Sequence, residues 1–419
     1  MIYKTLKGFS DIYGDDISLW HSLESIISNL MNLYGFSEIR TPILERTELF
    51  IRGVGDVSDA VGKEMYTFND KSTPPESISI RPELTAPVAR AFIQHDIGKQ
   101  QLITKWYYVG ASFRYEQPQK GRTRQYHTFG VELIGSHSAI ADAEVISIGY
   151  DLLKLLGINN FKLRINSLGY KEERIRYREA LVDYFNSIKS QLSEDSKNRI
   201  ESNPLRILDS KNEYDAIACV DAPSILDFLN EESLEHFDRL KNLLDENEVE
   251  YIVDKRLVRG LDYYTRTVFE FQTKSLGSQD ALGGGGRYDN LIAEIGGNQT
   301  PATGFGFGME RLILVSKLEN GLNVKGNNCF VYIVSLGEKA QLISSRLAHK
   351  IRLSNKSVEM DLMNRSMKAQ LREASKLNCK YVIIIGEDEI ETSIALVKNM
   401  ETWEQKNIAF DEILNELNF

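Results

Sequence analysis

Two spacings of hydrophobic residues recur along this chain, and each predicts a different kind of element. Apolar side chains three or four positions apart, as in residues 16–34 and 139–156, predict helices. Apolar and polar positions that alternate, as in 106–116, predict a strand, because successive strand side chains point to opposite faces. A second apolar run, 126–134, follows a polar loop, so the two runs are expected to form an antiparallel hairpin. The chain should therefore build a sheet with helices packed against it.

Charged and polar side chains collect on one face of this hairpin and at the end of an earlier strand. Arg114 and Glu116 are two positions apart, so they share a strand face. Glu83 and Thr85 follow a second predicted hairpin, where a helix begins, and such a junction is a common place for a ligand site. Both pairs also fit simpler interpretations, an exposed charged face for the first and a capped helix with a solvated Glu for the second.

One strand in the last third of the chain has bare backbone on one side. Gly304, Gly306 and Gly308 share a face, while phenylalanines occupy the other. Glycine weakens a strand interior, so this repeat indicates that something flat lies close against the glycine face. Arg311 follows at the start of a helix predicted over 312–318, where a cation and backbone N–H groups could bind an anion. A tightly packed neighbouring helix is the alternative explanation of the glycines.

Changes in composition divide the chain into four parts. A sheet-forming core is predicted over 1–167 and 251–318. It is interrupted at 168–250 by long charged stretches with sparse apolar positions, which indicate a largely helical insertion separate from the sheet. A linker of low apolar content, 319–328, follows the core. Strands alternate with helices over 329–419, which predicts a small α/β domain with a mixed sheet.

Composition and charge narrow the class of protein. The 419 residues are 42% hydrophobic, which is ample for packed cores, and the three cysteines are far apart. No apolar run approaches the ~18 residues of a membrane helix, so a soluble, cytoplasmic protein is expected. The formal net charge is -10, so a polyanionic partner must meet a local basic patch. Residues 339–380 hold ten Lys and Arg against three Asp and Glu, which favours RNA contact there, with solvated helix faces as the alternative.

Five segments together resemble the histidyl-tRNA synthetases, a family of class II aminoacyl-tRNA synthetases, and the likeness covers nearly the whole chain. Residues 35–42 (GFSEIRTP), 113–116 (FRYE) and 304–311 (GFGFGMER) are similar to class II motifs 1, 2 and 3. Residues 257–271 (LVRGLDYYTRTVFEF) and 283–289 (GGGGRYD) are similar to the two signature segments of the histidine enzymes.

The resemblance implies a fold and a reaction. The fold is an α+β catalytic core built on an antiparallel sheet, with a helical insertion and a C-terminal α/β anticodon-binding domain. The reaction joins L-histidine to the 3′ end of histidine tRNA through a histidyl-adenylate and releases AMP and pyrophosphate. ATP with Mg²⁺ is the expected co-substrate, motif 1 implies a homodimer, and no metal-binding side chain is assigned.

Three arginines have the main roles in the implied chemistry. Attack of a carboxylate on the α-phosphate of ATP builds charge on the phosphate oxygens, and fixed cations placed there lower the barrier. By resemblance, Arg114 contacts the α-phosphate and Arg311 the γ-phosphate. Arg259 lies against the α-phosphate and the histidine carboxylate, so Arg114 and Arg259 are the implied catalytic residues. The other implied nucleotide-binding residues are Glu116 and Tyr126 at the adenine, and Gly306 and Gly308 in the opposite wall.

The resemblance also implies a pocket for the amino acid. Buried polar groups that expect N–H and N partners reject ligands without them, since each unpaired group costs about 1–3 kcal/mol. The family usually has Gln where this chain has Thr128, so Thr128 is a doubtful member of the pocket. The implied histidine-binding residues are Glu83 and Thr85 for the α-amino group, Glu132 and Tyr264 for the imidazole, and Tyr263, Tyr288 and Arg259 around them.

Two other functions fit parts of this pattern. The regulatory subunit of ATP phosphoribosyltransferase resembles the same core without aminoacylating tRNA, and an RNA-sensing module could bind tRNA without charging it. The regulatory proteins lack the C-terminal domain and have an altered arginine signature. This chain has both the domain and Arg114, Arg259 and Arg311, which favours the enzyme.

Overall fold

The chain forms two compact units, 1–323 and 324–419. The division falls within the predicted linker, of which residues 320 and 323–328 lie outside the described part of the chain. Within that part, no helix has the length and apolar character needed to cross a bilayer. The computed structural model describes residues 3–54, 64–118, 122–210, 212–259, 263–276, 280–319, 321–322 and 329–417.

The described part of the first unit contains two sheets. Its strands are β1 (Ser37–Glu38), β2 (Leu44–Arg46), β3 (Tyr66–Asn69), β4 (Ser77–Ile80), β5 (Thr104–Phe113), β6 (Gln125–Ile134), β7 (Lys162–Ser167), β8 (Ile252–Val253), β9 (Thr265–Gln272), β10 (Ala281–Arg287) and β11 (Ala302–Gly308). The large sheet has the order β1-β5-β6-β11-β10-β9-β7-β8, and only its outer pairs, β1–β5 and β7–β8, are parallel. The small sheet has the order β2-β4-β3 and is antiparallel. The predicted hairpin is β5 and β6, so it is confirmed.

Helices cover the large sheet and form most of the insertion. They are α1 (Asp15–Tyr34), α2 (Thr47–Val54), α3 (Thr85–Gln94), α4 (Ile97–Gln100), α5 (Ala139–Leu155), α6 (Lys171–Ser187), α7 (Glu194–Arg199), α8 (Leu205–Leu208), α9 (Glu213–Ala218), α10 (Glu231–Glu246), α11 (Leu291–Glu294) and α12 (Met309–Leu318). Single 3-10 turns lie at Lys189–Gln191, Ile225–Phe228 and Lys274–Leu276. The first helix ends at Gly35, whose φ of 71° is left-handed and therefore suits glycine.

The large sheet has an aromatic face and a glycine face. Phe305 and Phe307 of β11 and Phe271 of β9 belong to one cluster of rings on the aromatic face. Helix α5 crosses this face closely, because a Cβ on Gly149 would lie only 2.8 Å from the Phe271 ring. Strand alternation turns Gly306 to the opposite face, which α5 does not cover. That face carries the cavity described below.

The predicted insertion, 168–250, is helical, and its first helices pack around a cluster of their own that includes Tyr177 and Phe185. The last of its helices, α10, packs instead against α5 of the core. His236 on α10 bonds to Asp142 on α5, with Nε2 and Oδ2 2.8 Å apart. Packing therefore joins α10 to the core, while the separateness of the other helices and the bounds of the insertion remain predictions.

The second unit is a mixed α/β sheet with flanking helices, as the alternating pattern predicted. Its strands are β12 (Val331–Ser335), β13 (Val358–Met360), β14 (Tyr381–Ile385), β15 (Ile394–Asn399) and β16 (Gln405–Ala409), and its helices are α13 (Glu338–Leu353), α14 (Met367–Lys376), α15 (Glu387–Thr392) and α16 (Ile413–Glu416). The order is β13-β12-β14-β15-β16, with parallel pairing among the first three strands and antiparallel pairing among the last three. The predicted fold class, an α+β core with a helical insertion and a C-terminal α/β domain, is confirmed.

Candidate active site

A cavity of about 530 Å³ lies over the glycine face of the large sheet. Every candidate site residue from the sequence lines it, although these residues come from distant parts of the chain. Their contacts with ligands remain predictions. The residues are Glu83, Thr85, Arg114, Glu116, Tyr126, Thr128, Glu132, Arg259, Tyr263, Tyr264, Tyr288, Gly306, Gly308 and Arg311.

The glycines of the sheet make room for side chains of neighbouring strands. A Cβ on Gly130 would lie 2.3 Å from the Tyr108 hydroxyl, and a Cβ on Gly304 would lie 1.9 Å from the Glu132 carboxylate. A Cβ on Gly306 would meet only the Thr128 methyl group, at 3.2 Å. At Gly304 a carboxylate therefore fills the space beside the strand, and the expectation that something flat lies against this face remains a prediction for the rest of it. At Gly306 the face is open to the cavity.

A carboxylate surrounded by hydroxyl groups forms the deep end of the cavity. Glu132 Oε1 accepts hydrogen bonds from the hydroxyls of Thr85 (2.8 Å) and Tyr108 (3.1 Å), and Oε2 accepts one from Tyr288. Only 1% of the Glu132 surface is exposed. Burial raises its pKa to about 8, although the hydroxyls of Tyr288 and Thr85 oppose the shift. This group can therefore hold or release a proton near neutral pH.

Glu83 lies at the junction between β4 and α3. Its carboxylate accepts the backbone N–H groups of Thr85 (2.6 Å) and Ala86 (3.0 Å), so it caps the first turn of α3. Burial raises its pKa, against these two hydrogen bonds. Glu83 therefore caps the helix, but it is buried and not solvated, and the same carboxylate also lines the cavity.

Arg114 and Tyr126 are fixed by one backbone carbonyl. Arg114 Nε donates to Pro82 O (3.0 Å), and the Tyr126 hydroxyl donates to the same oxygen (2.8 Å). The guanidinium lies 5.7 Å from the centre of the Tyr126 ring, within the range of a cation–π contact. The two side chains therefore present a cation and an aromatic ring side by side in the cavity wall.

Arg259 reaches the cavity beside a glycine of β10. A Cβ on Gly284 would lie 3.0 Å from its Nη1, and this nitrogen pairs with the Glu270 carboxylate of β9. Although burial lowers the pKa of Arg259, the nearby Glu270 raises it above the usual range. The guanidinium is thus charged and fixed in orientation, which suits it to bind a planar anion.

Arg311 lies at the opposite end of the cavity. Helix α12 begins at Met309, three residues before the predicted start, so Arg311 is in its first turn. Its Nη1 donates to Ala281 O at 2.5 Å. Burial and the nearby Arg122 both lower the pKa of Arg311. Arg122 itself pairs with Glu116, at 3.1 Å.

The sequence did not assign roles to three further residues that line the cavity. Tyr108 lies on β5 and, by the alternation predicted over 106–116, shares a face with Arg114, so its position on the glycine face was predictable, but its bond to Glu132 was not. Glu270 belongs to a signature segment, and only the pairing of strands brings it to Arg259. Glu310 accepts the backbone N–H of His127 (2.9 Å) from the first turn of α12. Within the described ranges, no group of three or more His, Cys, Asp or Glu residues is arranged to hold a metal ion.

Family models match both units of the chain. The model described as Histidyl-tRNA synthetase matches residues 8–175 and 206–312, and the model described as Anticodon binding domain matches residues 330–418. These matches cover β5, β6, β9, β10 and β11, whose residues line the cavity, and the whole sheet of the second unit.

Individual relatives are similar over nearly their full lengths. The chain is 49% identical to the histidine–tRNA ligase of Fervidobacterium nodosum, over 96% of this chain and 95% of the relative. It is 45% identical to the histidine–tRNA ligase of Thermosipho melanesiensis, over 99% and 98%. Among solved structures, the histidyl-tRNA synthetase of Staphylococcus aureus matches with a TM-score of 0.83 and 34% identity, over 100% of each chain.

Proposed function

The chain belongs to the histidyl-tRNA synthetase family, and from this premise we propose which of its residues perform the family's reaction. The protein is a histidine–tRNA ligase, which joins L-histidine to the 3′ end of histidine tRNA through a histidyl-adenylate and releases AMP and pyrophosphate. One observation carries the assignment of residues: a single cavity is lined by four arginines, among them Arg114, Arg259 and Arg311, and by a buried carboxylate with hydroxyl partners.

Arg114 and Arg259 are the proposed catalytic residues. When the histidine carboxylate attacks the α-phosphate of ATP, negative charge develops on the phosphate oxygens. Arg114 is fixed by Pro82 O and Arg259 by Glu270, so both cations are in place before the reaction begins. Fixed cations need no reorganisation in the transition state, and this is how they lower its energy. Arg259 also meets the carboxylate of the attacking histidine.

The nucleotide occupies the end of the cavity near α12. Tyr126 stacks on the adenine, and the open face at Gly306 and Gly308 forms the other wall. Arg311 contacts the γ-phosphate, where the nearby Arg122 makes the potential still more positive. Glu116 lies next to the adenine, and Mg²⁺ enters with ATP as part of the substrate. The hydrogen bond from the Tyr126 hydroxyl to Pro82 O supports this arrangement, because it fixes the orientation of the ring in the cavity wall.

Histidine occupies the deep end of the cavity. The imidazole bonds to Glu132 and Tyr264, and the α-amino group lies at Glu83 and Thr85. The three hydroxyl groups that donate hydrogen bonds to Glu132 support this assignment, because they fix the orientation of its carboxylate. Tyr263 and Tyr288 enclose the ring. Thr128 remains a doubtful contact.

The second unit is the proposed site of anticodon contact. It matches an anticodon-binding family model, and its stretch 339–380 holds ten basic residues against three acidic ones. Cations along this stretch would bind tRNA phosphates, so binding should weaken as salt rises. The protein is further proposed to act in the cytoplasm.

A homodimer is proposed from the surface near motif 1. Apolar side chains are exposed there, including Ile43 (49%), Leu44 (50%) and Leu102 (90%). A second cavity, of about 750 Å³, is bordered by Pro42 and Trp106 of the same region. It shares no lining residue with the cavity over the glycine face. Exposed apolar surface beside short edge strands is typical of an interface between subunits.

Histidine-dependent exchange of pyrophosphate into ATP tests the proposal. The parent protein should catalyse exchange at saturating histidine and Mg²⁺, and Arg259→His should reduce it strongly with the fold intact. Arg164→His is the matched control, because Arg164 is also paired with a carboxylate (Asp254, 2.6 Å) but does not line the cavity. No exchange by the parent protein, or equal losses in the two variants, would contradict the assignment.

A further inference from the structure

Two side chains of the GGGGRYD segment have no role in the chemistry above. Arg287 and Asp289 flank Tyr288, whose hydroxyl donates to Glu132 in the cavity. Tyr288 lines the cavity, whereas neither of these two neighbours does. Both are buried, with 0% and 2% of their surface exposed. Buried charges are retained where they are paired, and this pair is connected to several elements.

Every nitrogen of the Arg287 guanidinium is hydrogen-bonded. Nη1 donates to Ser136 O (2.7 Å) and Asp289 Oδ1 (3.1 Å). Nη2 donates to Asp142 Oδ1 (2.8 Å) and Ser138 O (3.1 Å), and Nε donates to Asp142 Oδ2 (3.2 Å). These bonds hold the end of β10 against the start of α5. The tyrosine that follows directly along the chain is therefore held as well.

Asp142 is the acceptor at the centre of these contacts. Besides Arg287, it accepts hydrogen bonds from the Thr267 hydroxyl (2.7 Å) and from His236 Nε2 (2.8 Å). Although burial raises its pKa, Arg287 and His236 hold that pKa at about 2, so the carboxylate is ionised at neutral pH. Four elements, α5, β9, β10 and α10, meet at this one group.

Two helices of the predicted insertion reach the same network. The Tyr170 hydroxyl, at the start of α6, donates to Asp289 Oδ2 (3.0 Å). Arg266 bonds to Glu232 on α10 (2.5 Å), and its guanidinium lies 4.4 Å from the centre of the Tyr170 ring. Arg266 has a φ of 44° at a bulge between β9 and β10, a costly conformation that persists where surrounding contacts require it.

We propose that Arg287 and Asp142 are positioning residues for histidine recognition. They hold Tyr288 so that its hydroxyl fixes the Glu132 carboxylate toward the imidazole. The same contacts connect α6 and α10 to this end of the cavity, so a displacement of either helix is transmitted to Tyr288. The inference rests on the proposed role of Glu132 in binding histidine. If the network had only a structural role, disrupting it would lower the melting temperature without changing the KM for histidine more than the KM for ATP.

Asp142→Asn tests this role, because it removes the central charge and keeps the side-chain shape. In histidine-dependent pyrophosphate exchange, the KM for histidine should rise about tenfold, which corresponds to about 1.4 kcal/mol. The KM for ATP should stay within about twofold, because the side chains and carbonyls that bond to Arg287 and Asp142 belong to residues that do not line the cavity. Equal rises in both KM values, or a lower melting temperature with both unchanged, would overturn the proposal.

A double-mutant cycle identifies Tyr288 as the connection. Tyr288→Phe removes the hydroxyl and should raise the KM for histidine in the same way. The double variant Asp142→Asn/Tyr288→Phe should be no worse than the single variants, because both changes act through the same hydroxyl. Additive losses would show that Asp142 acts by another route and would overturn the proposal.

Asp215→Asn is the matched control, because it shows the effect of replacing a buried, hydrogen-bonded carboxylate by an amide elsewhere in the protein. Asp215 has 0% of its surface exposed and accepts hydrogen bonds from Ser193, Ser196 and Ser210, all within the insertion. It should lower the melting temperature and leave both KM values unchanged.

Thr267→Val is the milder variant, to be used if Asp142→Asn does not fold. It removes a single hydroxyl donor and should raise the KM for histidine about two- to threefold, with the KM for ATP unchanged. An unchanged KM for histidine would overturn the proposal. Absence of exchange in the parent protein would instead refute the proposed function, and this inference with it.

Discussion

Gly304→Ala adds one methyl group where β11 passes Glu132, and we expect it to weaken histidine binding selectively. The new Cβ would lie 1.9 Å from Glu132 Oε2 and 2.4 Å from Val131 O. An ordinary contact requires at least 3.4 Å, so the carboxylate must move by roughly 1.5 Å. Such a shift separates Oε2 from the Tyr288 hydroxyl, which is its hydrogen-bond partner.

The size of the effect follows from the hydrogen bond that is lost. A buried polar group without a partner costs about 1–3 kcal/mol. If that cost appears in the complex with histidine, the KM for histidine should rise roughly five- to hundredfold, since each 1.4 kcal/mol is a factor of ten. The KM for ATP should change by less than about threefold, because the nucleotide end is bordered by Gly306 and Gly308, where the face is open.

Two glycine variants separate this effect from a general distortion of the sheet. Gly285→Ala creates a clash of the same depth, 1.9 Å, but with the backbone oxygen of Gly304 and not with Glu132. It should lower the melting temperature and leave the KM for histidine unchanged. Gly306→Ala meets only the Thr128 methyl group, at 3.2 Å, and should affect the KM for ATP more than that for histidine.

The assay is pyrophosphate exchange with each substrate varied in turn, together with thermal unfolding of every variant. A Gly304→Ala protein that folds and keeps its KM for histidine within twofold of the parent would refute the reasoning. Equal effects of Gly304→Ala and Gly285→Ala on that KM would also refute it, because the clash with Glu132 would then be irrelevant.

Three further predictions concern a proton, a doubtful contact and the second unit. Burial raises the pKa of Glu132 from 4.5 to about 8, so between these values the folded state holds a proton that the unfolded state has lost, and stability falls as pH rises. The free energy of unfolding of Glu132→Gln, measured with denaturant relative to the parent, should therefore increase from pH 5 to 8 by up to about 1.4 kcal/mol per unit, and a constant difference would contradict this. Thr128→Val should change the KM for histidine less than about threefold in the exchange assay, because the nearest contact at Gly306 involves the methyl group; a loss above about tenfold would make the hydroxyl a direct contact. Deleting the residues after Asn327 should preserve exchange and weaken tRNA charging, whereas equal loss of both activities would argue against a separate anticodon-binding unit.

The local elements could be predicted because their patterns are local. Alternation over 106–116 and 126–134 predicted the hairpin that the structure contains as β5 and β6. Helical spacing over 16–34 predicted α1, which the structure has as Asp15–Tyr34. Each of these predictions depends only on how side chains repeat along a helix or a strand, so it can be made from a single sequence.

Contacts between distant strands could not be predicted in the same way. Glu132 and Gly304 face each other only because β6 and β11 pair in one register, and a shift by one residue would turn every side chain to the other face. The start of α12 was misplaced for a related reason. Alternation of Gly and Phe up to Gly308 runs directly into Met309, so the pattern of the strand hides the first turn of the helix. The packing of α10 on α5 could not be predicted either. The apolar face of α10 predicts that the helix is buried on one side, but it does not specify the element that covers this side.

The glycines change how the site as a whole should be understood. A run of glycines near charged residues is often read as a loop that surrounds phosphate, but here the run is a central strand, β10, between β9 and β11. Gly284 of this strand, Gly130 of β6 and Gly304 of β11 leave volumes that Arg259, Tyr108 and Glu132 occupy from neighbouring positions. Polar groups are thereby set within the sheet, where strand pairing on both sides limits their movement. An oriented charge is effective in catalysis because it does not have to be reoriented as the reaction proceeds. A methyl group on one of these glycines should therefore be as damaging as removal of the functional side chain that it displaces.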